Sequence, residues 1–152
     1  MKALTALMMI FAQLTPAYAG VSSVASPEER LTLGGIAIGQ SEASVIALRG
    51  NPKKRTEESD FFLPITLSYP GLVVSLDEQG VGGVHSSSEE FCTLANVCPG
   101  MTYAQVTEAY GHADPYECDG RVFRDYLWDD GCWLRISFQA NVATTVETTC
   151  SP

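Results

Sequence analysis

Gly39-Gln40-Ser41-Glu42-Ala43-Ser44-Val45-Ile46-Ala47-Leu48-Arg49-Gly50 and Gly100-Met101-Thr102-Tyr103-Ala104-Gln105-Val106-Thr107-Glu108-Ala109-Tyr110-Gly111 are one pattern written twice, 61 residues apart. Ser41 and Thr102 have the side-chain oxygen that an N-cap uses to satisfy an orphan backbone N–H. Thr102 with Gln105 makes a capping box. Apolar Ala43, Val45, Ile46 and Leu48 in the first copy, and Ala104, Val106 and Ala109 in the second, mark one buried face. Gly50 and Gly111 stand where a helix ends on a positive-φ residue. The spacing predicts helices over 42–49 and 103–110.

The pattern extends on the N-terminal side. Residues 26–50 laid on 87–111 match at nine of 25 positions, among them Glu28/Glu89, Thr32/Thr93, Leu33/Leu94 and Val45/Val106. Chance supplies one or two such identities, so the chain reads as an internal duplication. On the C-terminal side, residues 51–60 (NPKKRTEESD) read as a solvated polar loop. Ile65, Leu67 and Tyr69 then alternate with Thr66 and Ser68, and Leu72, Val74 and Leu76 with Val73 and Ser75, across a Pro70-Gly71 turn. Period two with one apolar face predicts a half-buried antiparallel hairpin, with a third strand near 81–86. The second copy predicts strands near 122–129, 132–139 and 142–149, the first pair joined by a two-residue Asp130-Gly131 turn. The expected fold is α+β: two tandem repeats, each a helical segment packed on a three-stranded antiparallel meander. The expected divisions are residues 1–19, 20–88 and 89–152.

The segments Gly39-Gln40-Ser41-(x)3-Val45-(x)4-Gly50-Asn51-Pro52 and Gly100-Met101-Thr102-(x)3-Val106-(x)4-Gly111 resemble the helix signature of the tandem β-lactamase-inhibitor-protein-like domains. The same signature marks the small outer-membrane-assembly lipoproteins of the SmpA/OmlA type. The resemblance implies helices on one face of an antiparallel sheet and a protein partner on the other face or the loops. The lipobox of the lipoproteins is missing, which tells against outer-membrane anchoring and assembly, and the tandem duplication is closer to the inhibitor type.

Residues 1–19 read as a secretory signal peptide. Lys2 is a short positive region, residues 3–14 (ALTALMMIFAQL) are an apolar run, and Ala17-Tyr18-Ala19 is an A-x-A cleavage triplet. Gln13 and Pro16 interrupt the run well short of the twenty or so residues that span a bilayer. Gly20, not Cys, follows the triplet, so no lipid anchor is expected. All five cysteines, Cys92, Cys98, Cys118, Cys132 and Cys150, lie beyond it, and disulfides persist in the periplasm or outside the cell. Cys92 and Cys98 close a short loop, and Cys132 and Cys150 end strands expected to be neighbours. The predicted pairs are 92–98 and 132–150, leaving Cys118 free.

Nine Lys and Arg against eighteen Asp and Glu give a net charge of −9, which argues against a nucleic-acid binder, since that needs a basic face to meet phosphate. Only two histidines are present, His85 and His112, and neither has a nucleophile at catalytic spacing. The pairs Asp77-Glu78 and Asp129-Asp130 read as turn chemistry. No zinc, calcium or phosphate-loop spacing occurs. No catalytic residue, metal or cofactor is expected.

What remains is a face. The two-residue Asp130-Gly131 turn sets Trp128 opposite Trp133, Tyr126 opposite Arg135, and Arg124 opposite Ser137. Arg124, Tyr126, Trp128, Trp133 and Arg135 then form an outer surface of the residue types that dominate interface hot spots. Phe123, Leu127, Leu134, Ile136 and Phe138 would point inward, with Asp125 a misfit among them. A slip of one residue exchanges the two faces, and the aromatics then serve the contact between the units. The sequence thus predicts an exported, non-enzymatic protein-binding module, periplasmic or secreted, with inhibition of a hydrolase as the specific form. An envelope-assembly accessory, or a small-molecule carrier or enzyme using the groove between the repeats, is the alternative.

Overall fold

A computed structural model describes residues 31–127 and 131–150. The expected signal peptide and Trp128 lie outside the described residues. The chain opens on a small hairpin, β1 (Thr32–Leu33) and β2 (Ile36–Ala37). Helix α1 (Glu42–Arg49) follows, then β3 (Lys54–Glu57), β4 (Ile65–Tyr69), β5 (Leu72–Asp77) and β6 (Gly80–Ser86). After α2 (Tyr103–Tyr110) come β7 (Pro115–Cys118), β8 (Arg121–Leu127), β9 (Cys132–Gln139) and β10 (Val142–Cys150).

Both helices have the predicted bounds because their ends are chemically fixed. The Ser44 N–H donates to the Ser41 hydroxyl at 3.3 Å. The Thr102 N–H donates to Gln105 Oε1 at 2.9 Å, and the Gln105 N–H returns to Thr102 Oγ1 at 3.4 Å, completing the capping box. Gly50 and Gly111 both sit at φ +80°, a region that side chains disfavour, and their N–H groups close the last turns on Ile46 O and Thr107 O. Thr102→Ala removes one arm of the box and should cost about 1 kcal/mol. Urea denaturation with an unchanged midpoint would contradict that.

The α+β tandem-repeat expectation is overturned by the sheet. The protein is mostly β, and β3 to β10 form one eight-stranded antiparallel sheet in the order β3-β4-β5-β6-β10-β9-β8-β7. Two physical terms defeat the three-stranded units. A meander left alone exposes an unpaired strand edge. Here the two free edges satisfy each other, with Val146 opposite Ser86, Glu147 opposite His85 and Thr148 opposite Val84. Each meander also gains a fourth strand, β3 from the segment read as a polar loop and β7 from a segment given no element. β3 is charged because it is an outer edge. Arg55 spans from it to α1, its Nε donating to Glu42 at 2.7 Å, and this pairing holds the Glu42 carboxyl below its ordinary pKa.

One side of the sheet is the core. Leu67, Val74, Val84, Val146, Leu134 and Ile136 are fully or almost fully buried there. Val45 of α1 and Val106 and Tyr110 of α2 join the same cluster. Leu33 and Ile36, both 0% exposed, plug it at the centre, where Leu33 bridges to Thr93 and the Gly34 N–H donates to Cys92 O. Cys92 pairs with Cys98 and Cys132 with Cys150, while Cys118 is free and exposed. Among the described residues no helix is long and apolar enough to cross a membrane.

Candidate functional site

The sheet face turned away from the helices is built from rows of cross-strand neighbours. One row runs Ser68, Val73, His85, Glu147, Arg135 and Asp125. The next runs Thr66, Ser75, Gly83, Thr149, Trp133 and Leu127. Chemistry concentrates at the β8–β9 end. Two nitrogens of the Arg135 guanidinium, Nε and the terminal Nη2, donate to the two Asp125 oxygens at 2.9 Å each, the paired geometry that makes Arg–carboxylate contacts specific. The guanidinium carbon lies 5.8 Å from the Trp133 ring and 5.9 Å from those of both Tyr116 and Phe123. Tyr116 stacks on Phe123 at 5.6 Å and donates its hydroxyl to Asp125. Asp125 therefore gathers an arginine and a tyrosine, and three rings surround the arginine.

The bonds to Asp125 raise the Arg135 pKa against the opposing pull of desolvation, so the cation is fixed. Burial, reinforced by the hydrogen bond to the Asp125 carboxylate, pushes the Tyr116 phenol up. In the unfolded chain that phenol ionises near the ordinary value of about 10. Its contribution to stability is therefore fully present below that pH and is lost as pH rises through the higher folded value. The phenolate absorbance that Tyr116→Phe removes should appear above the ordinary range and move down in Asp125→Asn. A titration at the ordinary value, unmoved by Asp125→Asn, would contradict the geometry.

Of the five residues expected on this face, the structure places Trp133 and Arg135 there. It places Arg124 and Tyr126 on the opposite side, and Trp128 lies outside the described residues. The cause is register. Leu127 pairs with Trp133, Tyr126 with Leu134 and Asp125 with Arg135, one residue off the pairing a two-residue Asp130-Gly131 turn imposes. The slip moves Asp125 out of the core to its arginine and brings Tyr126 in. Tyr126 is 6% exposed, its ring 5.5 Å from Tyr110. Arg124 is tolerated on the inner side because it lies at the rim. Its guanidinium stacks 3.6 Å above the Tyr103 ring and donates to Ala113 O. Phe123 and Leu127, expected inside, face outward.

Sequence reasoning missed Tyr116, Phe123 and Asp125. The signal for Asp125 was its misfit among apolar neighbours. Tyr116 lies on an edge strand whose four residues are all exposed, so no burial pattern marks it. His85 takes its place on the open face between Val73 and Glu147. His112 is exposed beside α2, its Nδ1 2.8 Å from the Tyr103 hydroxyl. Asp77 serves its turn, accepting from the Gln79 and Gly80 N–H groups.

The fold has solved counterparts. An extracellular protein containing a SCP domain from Bacillus anthracis superposes with a TM-score of 0.55 at 12% identity, over 95% of this chain and 50% of that one. A cysteine-rich secretory protein from Staphylococcus aureus gives 0.52 at 10% identity, over 75% of this chain and 44% of that one. A DUF4309 family protein from Bacillus subtilis gives 0.50 at 13% identity, over 77% and 83%. At these identities the likeness is one of fold. The chain spans about half the length of the first two. No family model and no curated protein matches the sequence.

Proposed function

We propose that the chain is an exported, non-catalytic protein-binding module that meets its partner through the open sheet face at Trp133, Arg135, Tyr116 and Phe123. The observation that carries this is the arginine held by Asp125 among three rings on a face the helices do not cover. Trp, Tyr and Arg are the enriched hot-spot types. Here the cation's partner and the ring stack fix their geometry in advance, which lowers the ordering cost of binding. Export is supported by two disulfides, which persist in oxidising compartments. The extracellular and secretory proteins among its structural counterparts, and the A-x-A triplet at 17–19, point the same way. The resemblance of the helix segments to the inhibitor-like domains supports inhibition of a hydrolase as the narrower form of this reading.

The test is capture from an envelope or secretome extract by mature protein, compared with Trp133→Ala combined with Tyr116→Ala. The reading expects a discrete captured protein, depleted at least about tenfold by a variant that keeps its circular dichroism, since single anchors contribute roughly 2 kcal/mol or more. Equal capture by both proteins would overturn the proposed face. No specific capture by either would overturn the function.

A further inference from the structure

At the other end of the same face lies a second feature, which stands independently of the Trp133–Arg135 cluster. The segment between β3 and β4 folds back over the sheet and encloses a cleft of about 390 Å³, lined by Glu58, Phe61, Phe62, Leu63, Thr66 and Ser75. The segment is held in shape. The Glu58 N–H donates to Pro64 O at 2.8 Å and the Phe61 N–H to Glu58 O at 3.3 Å. Leu63 fills the space left by a missing side chain, since a Cβ on Gly82 would come within 2.5 Å of its Cδ2.

Anchoring by Leu63 leaves the two aromatic neighbours outside. Phe61 is 63% and Phe62 57% exposed, although phenylalanine is among the residues most often buried. Their surroundings are acidic. Glu57 is paired with Arg55 at 3.0 Å, but Glu58 and Asp60 form no ion pair among the described residues. Two unneutralised carboxylates thus flank two uncovered rings on a chain of net charge −9.

We propose that this cleft is a docking site for a basic, apolar polypeptide segment of a partner, in which an Arg or Lys stands next to an aliphatic or aromatic side chain. The carboxylates and the ring faces both attract a cation. Arg suits the site better than Lys because its planar group stacks on a ring while bonding a carboxylate. The apolar neighbour covers Phe62 and Leu63. Charge complementarity excludes an acidic segment and disfavours an anionic lipid surface.

The probe is a fluorescein-labelled peptide of alternating Arg and Leu, followed by anisotropy, with Glu/Leu and Arg/Ser peptides as comparisons. The proposal expects saturable binding of the Arg/Leu peptide alone, weakened by salt. Affinity should fall about tenfold in Phe61→Ser with Phe62→Ser, and by a similar factor in Glu58→Gln with Asp60→Asn. All four residues are exposed, so unfolding temperatures should hold. Glu89→Gln with Glu90→Gln, which removes equal charge elsewhere, should leave binding unchanged. Equal weakening by that control would reduce the effect to net charge and overturn the site. So would equal binding of the Arg/Ser peptide, or Phe61- and Phe62-dependent sedimentation with phosphatidylcholine vesicles in place of peptide binding.

Discussion

Tyr126→Ala should cost about 3–5 kcal/mol, the range for emptying an aromatic site in a core. Leu127→Ala, its immediate neighbour, should stay within about 0.5 kcal/mol. The contrast comes from the register of one hairpin. Tyr126 lies opposite Leu134, which is 0% exposed, and packs against Tyr110. Its hydroxyl reaches Gly111 O at 3.4 Å, so truncation also removes a tie to the end of α2. Leu127 faces outward at 69% exposure. Chemical denaturation of the two variants reads the difference. A large loss in Leu127→Ala with a small one in Tyr126→Ala would mean that the strands pair one residue away.

The Cys132–Cys150 bridge should give the second largest effect. It joins residues directly opposite each other on β9 and β10, with a sequence separation of 18. On the chain-entropy account a loop of that size contributes about 3 kcal/mol, and the separation of 6 closed by Cys92–Cys98 about 2 kcal/mol. Replacing Cys132 and Cys150 by Ala should therefore lower the denaturation midpoint further than replacing Cys92 and Cys98. Reduction of the wild type should lose more than either pair of substitutions. A Cys132–Cys150 variant as stable as wild type would show that the β9–β10 pairing, held by eight registered positions, needs no covalent help. Cys118 should react with a thiol reagent in the native oxidised protein, since it is free and exposed.

The parts of the fold legible in the sequence are those set by local chemistry. Ser41, Thr102 and Gln105 fixed the helix starts, Gly50 and Gly111 their ends, and the alternation at 65–76 gave β4 and β5 their inward faces. The disulfide pairs were legible too, because both are short-range closures between elements already placed. Edge strands were not. Lys54–Glu57 carries charges that protect an open edge, and these look the same in a sequence as a solvated loop. The junction of β6 with β10 was hidden as well, since it pairs residues about 60 positions apart through Ser86, His85 and Val84, and no local pattern selects that partner.

The candidate site was half legible for a related reason. Trp133 and Arg135 alternate with Leu134 and Ile136, so the face of β9 could be read directly. The face of β8 depended on its register with β9, and Asp130-Gly131 is a strong but local argument for a two-residue turn. The long-range terms decided otherwise. Pairing Asp125 with Arg135 and burying Tyr126 against Tyr110 replace a carboxylate in the core by an aromatic ring. A buried carboxylate without its cation is far more costly than an imperfect turn.

That register decides which side chains a partner can meet, and backbone nuclear Overhauser contacts between β8 and β9 measure it most directly. Residues directly opposite in an antiparallel pair approach to about 4.5–5.5 Å between Cα atoms. Cross-strand contacts should link Asp125 with Arg135 and Leu127 with Trp133. Contacts linking Tyr126 with Arg135 and Arg124 with Ser137 would return Tyr126 to the open face, dissolve the Asp125–Arg135 centre, and contradict the account.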